Sequence, residues 1–329
     1  MSQLVSIDEI RAAAERIAAV ARRTPLLAER RGSRAGLGRL RLKCENLQHG
    51  GAFKLRGAYN FIAQLPEAER SRGVITYSSG NHGRAVALAA RELGLAAVVV
   101  VPVDAPQIKV DGIRRLGAEI VEQGTKSVER QRRAEAIAAE RDLAIVPPFD
   151  HRQIIAGQGT VGLEIVEEWP VVERVLVPVG GGGLLAGVAA AVRALAPEAE
   201  VFGVEPLGAA SMHASLVAGH PVELESVASV ADGLKPVRPG DLTFEHAQSL
   251  VEEILLVEDE DILRALAWCA EEHRLLVEPS GAATVAALLA EKVPGPTGPT
   301  VAVISGGNVD PVAWGKWVSE YGTATAGAA

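Results

Sequence analysis

Cysteine is nearly absent from this chain: Cys44 and Cys269 are the only two in 329 residues. Two isolated thiols supply neither a disulfide framework nor a zinc-ligand spacing, so a reduced, cytoplasmic setting is expected and no metal site. An excess of positive charge is also missing. The formal net charge is −8, which argues against a nucleic-acid surface. No apolar run reaches membrane-spanning length with suitable flanks, so no membrane partner is expected. The start Ser6-Ile-Asp-Glu-Ile reads as an amphipathic helix rather than a signal segment. No internal repeat is evident, and no regulatory domain is expected after the last strand. What remains is ordinary for a globular enzyme, with 48% hydrophobic and 22% charged residues.

Short β-branched runs alternate with alanine-rich stretches, the pattern of βαβ units and mostly parallel sheets. One group of strands comprises Gly73–Tyr77, Ala97–Val101, Ala118–Val121 and Ala144–Val146; a second comprises Val175–Val179, Val201–Val204, Ile254–Val257 and Val301–Ile304. Strands Thr24–Leu27 and Leu40–Lys43 are expected to join the second group, with a helix over Gly159–Glu168. Pro147-Pro148 breaks the chain where the groups meet. The expectation is an α/β protein with two parallel-sheet three-layer domains. A small domain, 51–147, would be inserted into a large one formed by 1–50 and 148–329. A frayed tail is expected over Thr323–Ala329.

The most telling motif is Gly180-Gly181-Gly182-Gly183, between the strand Arg174–Val179 and the helical run from Leu184. Residues without Cβ let main chain approach an anion and turn several N–H groups toward it. The helix start adds unpaired donors and a positive dipole end. A phosphate-bearing ligand is the first reading, and a tight turn needing one or two glycines is the plainer one. The Lys-Ser/Thr pair of a nucleotide P-loop is absent. Gly181-x-Gly183-x-x-Ala186 does match the relaxed dinucleotide fingerprint, with Glu205 roughly 20 residues on where a ribose-binding acid belongs. That oxidoreductase reading stays open as an alternative. It leaves unexplained a second cluster upstream.

That cluster is Ala52-Phe53-Lys54-Leu55-Arg56-Gly57-Ala58. A surface lysine is the common case, but apolar neighbours leave little polar surface around Lys54. Burial would lower its pKa and favour the neutral amine. A nucleophilic amine together with a phosphate cradle points to an aldehyde-bearing phosphate, pyridoxal 5′-phosphate.

Five blocks in order then resemble one family. They are Lys43–Gln48 with Phe53–Ala58; Ser78-Ser-Gly-Asn-His82; Ala156–Thr160 with Gly180–Leu184; Glu278-Pro-Ser-Gly281; and Ser305-Gly-Gly-Asn308. Over nearly its whole length the chain resembles the fold-type II, tryptophan-synthase-β-like, pyridoxal-phosphate enzymes, in the branch of serine/threonine dehydratases and serine racemases. The resemblance implies that Lys54 bears the Schiff base and that Phe53 lies beside the cofactor ring. It places Asn81 at the ring 3′-oxygen, Gly180, Gly181, Gly182, Gly183 and Leu184 at the phosphate, and Ser305 at the ring nitrogen. Gly233 would line the cleft. Ser78, Ser79, Gly80, Asn81 and His82 would receive the substrate carboxylate on main-chain donors, and Ser79 would be a second acid/base. Each has a blander reading as a helix cap, a strand-end turn or a satisfied histidine.

A hydroxyl at the ring nitrogen cannot hold a proton there as a carboxylate would, so loss of a β-hydroxyl is favoured over transamination. The implied activity is a lyase, converting L-threonine, with L-serine, to a 2-oxo acid and ammonia. Serine racemisation or dehydration of a larger substrate such as hydroxyaspartate are the alternatives, and a non-catalytic amino-acid sensor is a further one. The stretch before the lysine departs from the family pattern at His49, Gly50 and Ala52. Some relatives hold a divalent cation through two carboxylates; Glu205 fits one position, but Ser211 stands at the other. The resemblance also implies a homodimer or homotetramer.

Overall fold

Ten strands and thirteen α-helices sort into two sheets, each buried between helices, in the computed structural model, which describes residues 4–29, 39–78, 80–105, 107–125, 127–295 and 298–322. The tail expected over 323–329 lies outside the described residues. The strands are β1 (Leu26–Ala28), β2 (Leu40–Cys44), β3 (Val74–Thr76), β4 (Ala97–Val101), β5 (Glu119–Glu122), β6 (Ala144–Ile145), β7 (Arg174–Pro178), β8 (Glu200–Pro206), β9 (Glu253–Val257) and β10 (Thr300–Ile304). The helices are α1 (Ile7–Ile17), α2 (Lys54–Ile62), α3 (Glu67–Arg70), α4 (Asn81–Glu92), α5 (Gln107–Arg114), α6 (Ser127–Arg141), α7 (Arg152–Glu168), α8 (Gly183–Leu195), α9 (Ser211–Ala218), α10 (Asp241–Leu250), α11 (Asp259–His273), α12 (Pro279–Leu289) and α13 (Pro311–Tyr321).

One sheet runs β1-β2-β10-β7-β8-β9, parallel except for β1 against β2. The other runs β5-β4-β3-β6 and is wholly parallel. Strand alternation sends successive side chains to opposite faces. Val175 and Val177 meet α7 and α8, whereas Leu176 meets α11 and α12. In the smaller sheet Val99 and Val101 face α2, α4 and α5, and Val98 and Val100 face α6. Burial on both faces explains why these strands are unbroken aliphatic runs.

The helix expected from Gly159 begins at Arg152 instead, capped by His151, whose Nδ1 accepts from the Gln153 amide at 3.2 Å. Glycines inside a helix lower its propensity and so disguised the start. Here they serve packing: a Cβ on Gly157 would stand 2.6 Å from the Arg56 carbonyl oxygen. Close contact at that point brings α2 onto α7. Ligands in open parallel sheets collect beyond the carboxyl ends of the strands. The turns there follow β3, β7 and β10.

Candidate active site

Lys54 opens α2, and its place is set from three sides. Ala52 bridges Gly306, and the Phe53 amide donates to the Ser305 carbonyl at 3.2 Å, tying the helix start to the end of β10. Two residues on, buried Arg56 donates to Glu45 at 2.8 Å and to Glu164 at 2.6 Å. Lys43 reaches the same Glu164 at 2.5 Å, and the Thr24 hydroxyl donates to Glu45 at 2.5 Å. Two cations thus balance two carboxylates in the interior, which is what allows such charges to stay buried. The third tie is to the amine itself: Lys54 Nζ donates to the Pro148 carbonyl at 2.8 Å and lies 5.1 Å from the centre of the Phe53 ring. Burial pushes its pKa down to about 8.

Pro148 leads into Phe149, and Phe149 carries the tetraglycine turn. A Cβ on Gly181 would fall 2.2 Å from the Phe149 ring. Gly182 has φ 91°, the left-handed region. Its carbonyl accepts from Ala186 N at 2.8 Å, while the Gly181 carbonyl accepts from Thr243 Oγ1 at 2.7 Å. Carbonyls therefore point back into the protein. The amides of Gly181, Gly182, Gly183 and Leu184, all buried, donate to no acceptor among the described residues. Buried unpaired N–H groups are costly, and four together at the start of α8 form a socket for an oxyanion. Gly233 stands against this turn, and its amide donates to Ser280 Oγ at 2.9 Å.

The turn after β3 supplies a second set of donors. Ser78 Oγ accepts from the Gly80 amide at 3.2 Å, and α4 starts at Asn81 with no side-chain cap. Ser79 lies outside the described residues. The His82 ring turns inward, its Nε2 meeting the Val146 carbonyl at 3.1 Å. Burial, with the Lys54 charge, pushes its pKa down to about 3. It is neutral, and only its main-chain amide is left for an anion. The Asn81 side chain donates to Glu278 at 2.6 Å and accepts from Asn308 Nδ2 at 2.8 Å. Ser305 is buried, with Oγ 3.4 Å from the Ser280 carbonyl.

Lys54, the tetraglycine turn, Asn81, Gly233 and Ser305 are thus linked by contacts through Pro148-Phe149, Ser280, Glu278 and Asn308. In the sequence Pro148 reads only as a break, and Phe149 carries no signal of a role. Glu278 was visible as a lone carboxylate in an apolar run, and burial pushes its pKa up to about 8, helped by Asp232. Glu205 corrects an alternative. It is buried and accepts the amides of Met212 and His213, each at 2.9 Å, at the start of α9. A carboxylate engaged there is not a ribose-binding group.

The socket fits a phosphate, and the half-buried Lys54 amine near it fits an aldehyde on the same molecule. Comparison with known proteins agrees. The family described as Pyridoxal-phosphate dependent enzyme matches residues 17–306. An L-threonine ammonia-lyase of Thermotoga maritima is 42% identical over 307 residues, 93% of this chain and 76% of that protein. A serine racemase of Schizosaccharomyces pombe is 38% identical, covering 96% of this chain and 98% of its own. The solved structure of maize serine racemase superposes with a TM-score of 0.91 at 38% identity, covering 97% of this chain and 98% of that one.

Proposed function

Since the chain belongs to the pyridoxal-phosphate dependent enzyme family, we propose that it is an ammonia-lyase acting on 3-hydroxy amino acids. L-threonine is the first substrate and L-serine the second, each giving a 2-oxo acid and ammonia. The observation that carries this reading is the half-buried Lys54 amine held one residue from Phe149, against which the turn with four buried, unpartnered amides rests. When bound, pyridoxal 5′-phosphate supplies an aldehyde for the substrate amine and a ring that draws electrons from Cα.

The chain's own residues do the rest. The amides of Gly181 to Leu184, at the positive end of α8, hold the phosphate. Lys54, with Phe53 beside it, would hold the aldehyde carbon, and its amine with a lowered pKa would take up the proton from the substrate Cα. The main-chain donors over 78–82, at the start of α4, receive the substrate carboxylate. Asn81 would hold the ring 3′-oxygen, and Gly233 would close the cleft wall. Ser305 would meet the ring nitrogen with a neutral hydroxyl, which supports elimination over transamination.

The same reading assigns 51–147 to a small domain carrying the lysine and the carboxylate loop, with 1–50 and 148–329 as the large one. The separate sheets support that division. A homodimer or homotetramer in the cytoplasm completes the proposal. Among the described residues no helix is long and apolar enough to cross a membrane.

Incubating the cofactor-loaded protein with L-threonine and with L-serine tests the activity directly. 2-Oxobutanoate and pyruvate are expected. D-serine as the main product, with little 2-oxo acid, would make it a racemase.

A further inference from the structure

A directional hydrogen-bond chain crosses the floor of the site. Arg84 Nη1 donates to Asn308 Oδ1 at 3.1 Å, Asn308 Nδ2 donates to Asn81 Oδ1 at 2.8 Å, and Asn81 Nδ2 donates to Glu278 Oε1 at 2.6 Å. The direction is forced at the Arg84 end. A guanidinium can only donate and the Gly50 carbonyl can only accept, so Asn308 presents Nδ2 to Asn81 Oδ1, and Asn81 in turn presents Nδ2 to Glu278. Between them each amide has one consistent orientation. The other Asn308 Nδ2 hydrogen is taken by the Gly50 carbonyl at 2.8 Å. The other Asn81 Nδ2 hydrogen has no acceptor among the described residues.

The site is built to hold the acceptor end. Glu278 is 4% exposed. Its carboxylate also accepts the Asn308 main-chain amide. A Cβ on Gly306 would lie 2.2 Å from Glu278 Oε1. Glycine at 306 is what leaves room for that oxygen. A buried carboxyl group is costly unless its oxygens are used, and here both donors come from the ring-facing turns.

Resting on the function proposed above, we propose that Glu278, Asn308 and Arg84 are positioning residues for Asn81. They lock its amide so that the spare Nδ2–H, rather than Oδ1, faces the cofactor's ring oxygen. Without the relay the amide turns over as easily one way as the other, and half of its orientations present a lone pair to an oxygen that is itself negative.

Glu278→Gln tests this, because glutamine matches the shape but offers one acceptor to two donors. Glutamine is neutral at every pH and introduces no buried charge, so folding is expected to survive. Two readouts apart from turnover apply: the affinity of the apoprotein for pyridoxal 5′-phosphate, and the ratio of visible to near-ultraviolet absorbance bands of the loaded protein, which reports the ionisation of the ring oxygen. Relative to wild type, Glu278→Gln and Asn81→Ala should each shift the ratio the same way and weaken binding about tenfold, one charge-assisted hydrogen bond's worth. Combined, they should do no more than Asn81→Ala alone, the sign of one pathway. Arg84→Met, at a half-buried position, should shift the ratio in the same direction and serves if the Glu278 variant does not fold. Full additivity, or an unchanged ratio in Glu278→Gln or Arg84→Met, overturns the relay. A wild-type apoprotein that takes up no pyridoxal 5′-phosphate would instead sink the proposed function.

Discussion

The reactivity of Lys54 can be read directly from its surroundings. An ordinary lysine has a pKa of 10.5, and burial brings this one to about 8. At pH 7 the neutral fraction therefore rises from about 1 in 3,000 to about 1 in 10, a gain of roughly 300-fold in amine ready to attack. The perturbation is pH, applied to apoprotein mixed with pyridoxal 5′-phosphate. Borohydride quenching at timed intervals, followed by peptide mass spectrometry, gives the rate at which the peptide containing Lys54 gains the cofactor. That rate should climb between pH 6.5 and about 8 and then level off, with Lys54→Ala giving no adduct there. The sign for stability is the reverse of the usual lysine case. The unfolded chain holds more protons between about 8 and 10.5, so the cost of burying this amine is present below pH 8 and is relieved as pH rises through that window. A rate still climbing toward pH 10 would mean a solvated amine. An adduct dispersed over other lysines would refute the site.

Other perturbations test the supports. Gly182→Ala combines a φ of 91° with a Cβ that would lie 2.7 Å from Met212. A loss of about 1–3 kcal/mol from the backbone alone is expected, with cofactor affinity falling further because the amides move; chemical denaturation and cofactor titration measure the two. Arg56→Met strips the partner from wholly buried Glu45, and should cost about 3–5 kcal/mol in urea denaturation. A loss below about 1 kcal/mol would show the network to be dispensable. Glu205 has its pKa pushed up to about 8 by burial. Its proton is held more tightly folded than unfolded, so its contribution is present below pH 4.5 and is lost as pH rises through about 8. Between pH 6 and 9 the melting temperature of wild type should fall more steeply than that of Glu205→Gln.

Much of the site was legible residue by residue, for distinct reasons. Four consecutive glycines after an aliphatic strand leave few uses besides a main-chain cradle. Phe53-Lys54 in an apolar setting already implied a lowered pKa, and desolvation is the cause that lowers it in the folded protein. Glu205 misled, because sequence position shows only that an acid follows a strand; the orientation of α9 decides that the acid caps amides. The start of α7 was hidden by glycines whose role is contact with α2 and α8 rather than turning. Phe149 carried no local signal at all, since its ring matters only for what rests on it.

Local chemistry along the chain was enough to settle the α/β alternation and the aliphatic parallel strands, and to point to an amine paired with an oxyanion socket. Each depends on near neighbours: side-chain branching, absent Cβ atoms, apolar flanks. Which groups meet across long separations was settled only by the folded protein. Asn81 reaches Glu278 and Asn308, and Lys54 reaches Pro148, because parallel strands deliver their turns to one edge of two sheets. No spacing rule encodes the direction of a hydrogen bond between residues that far apart; it follows from a guanidinium, which can only donate, standing at one end of the chain of contacts.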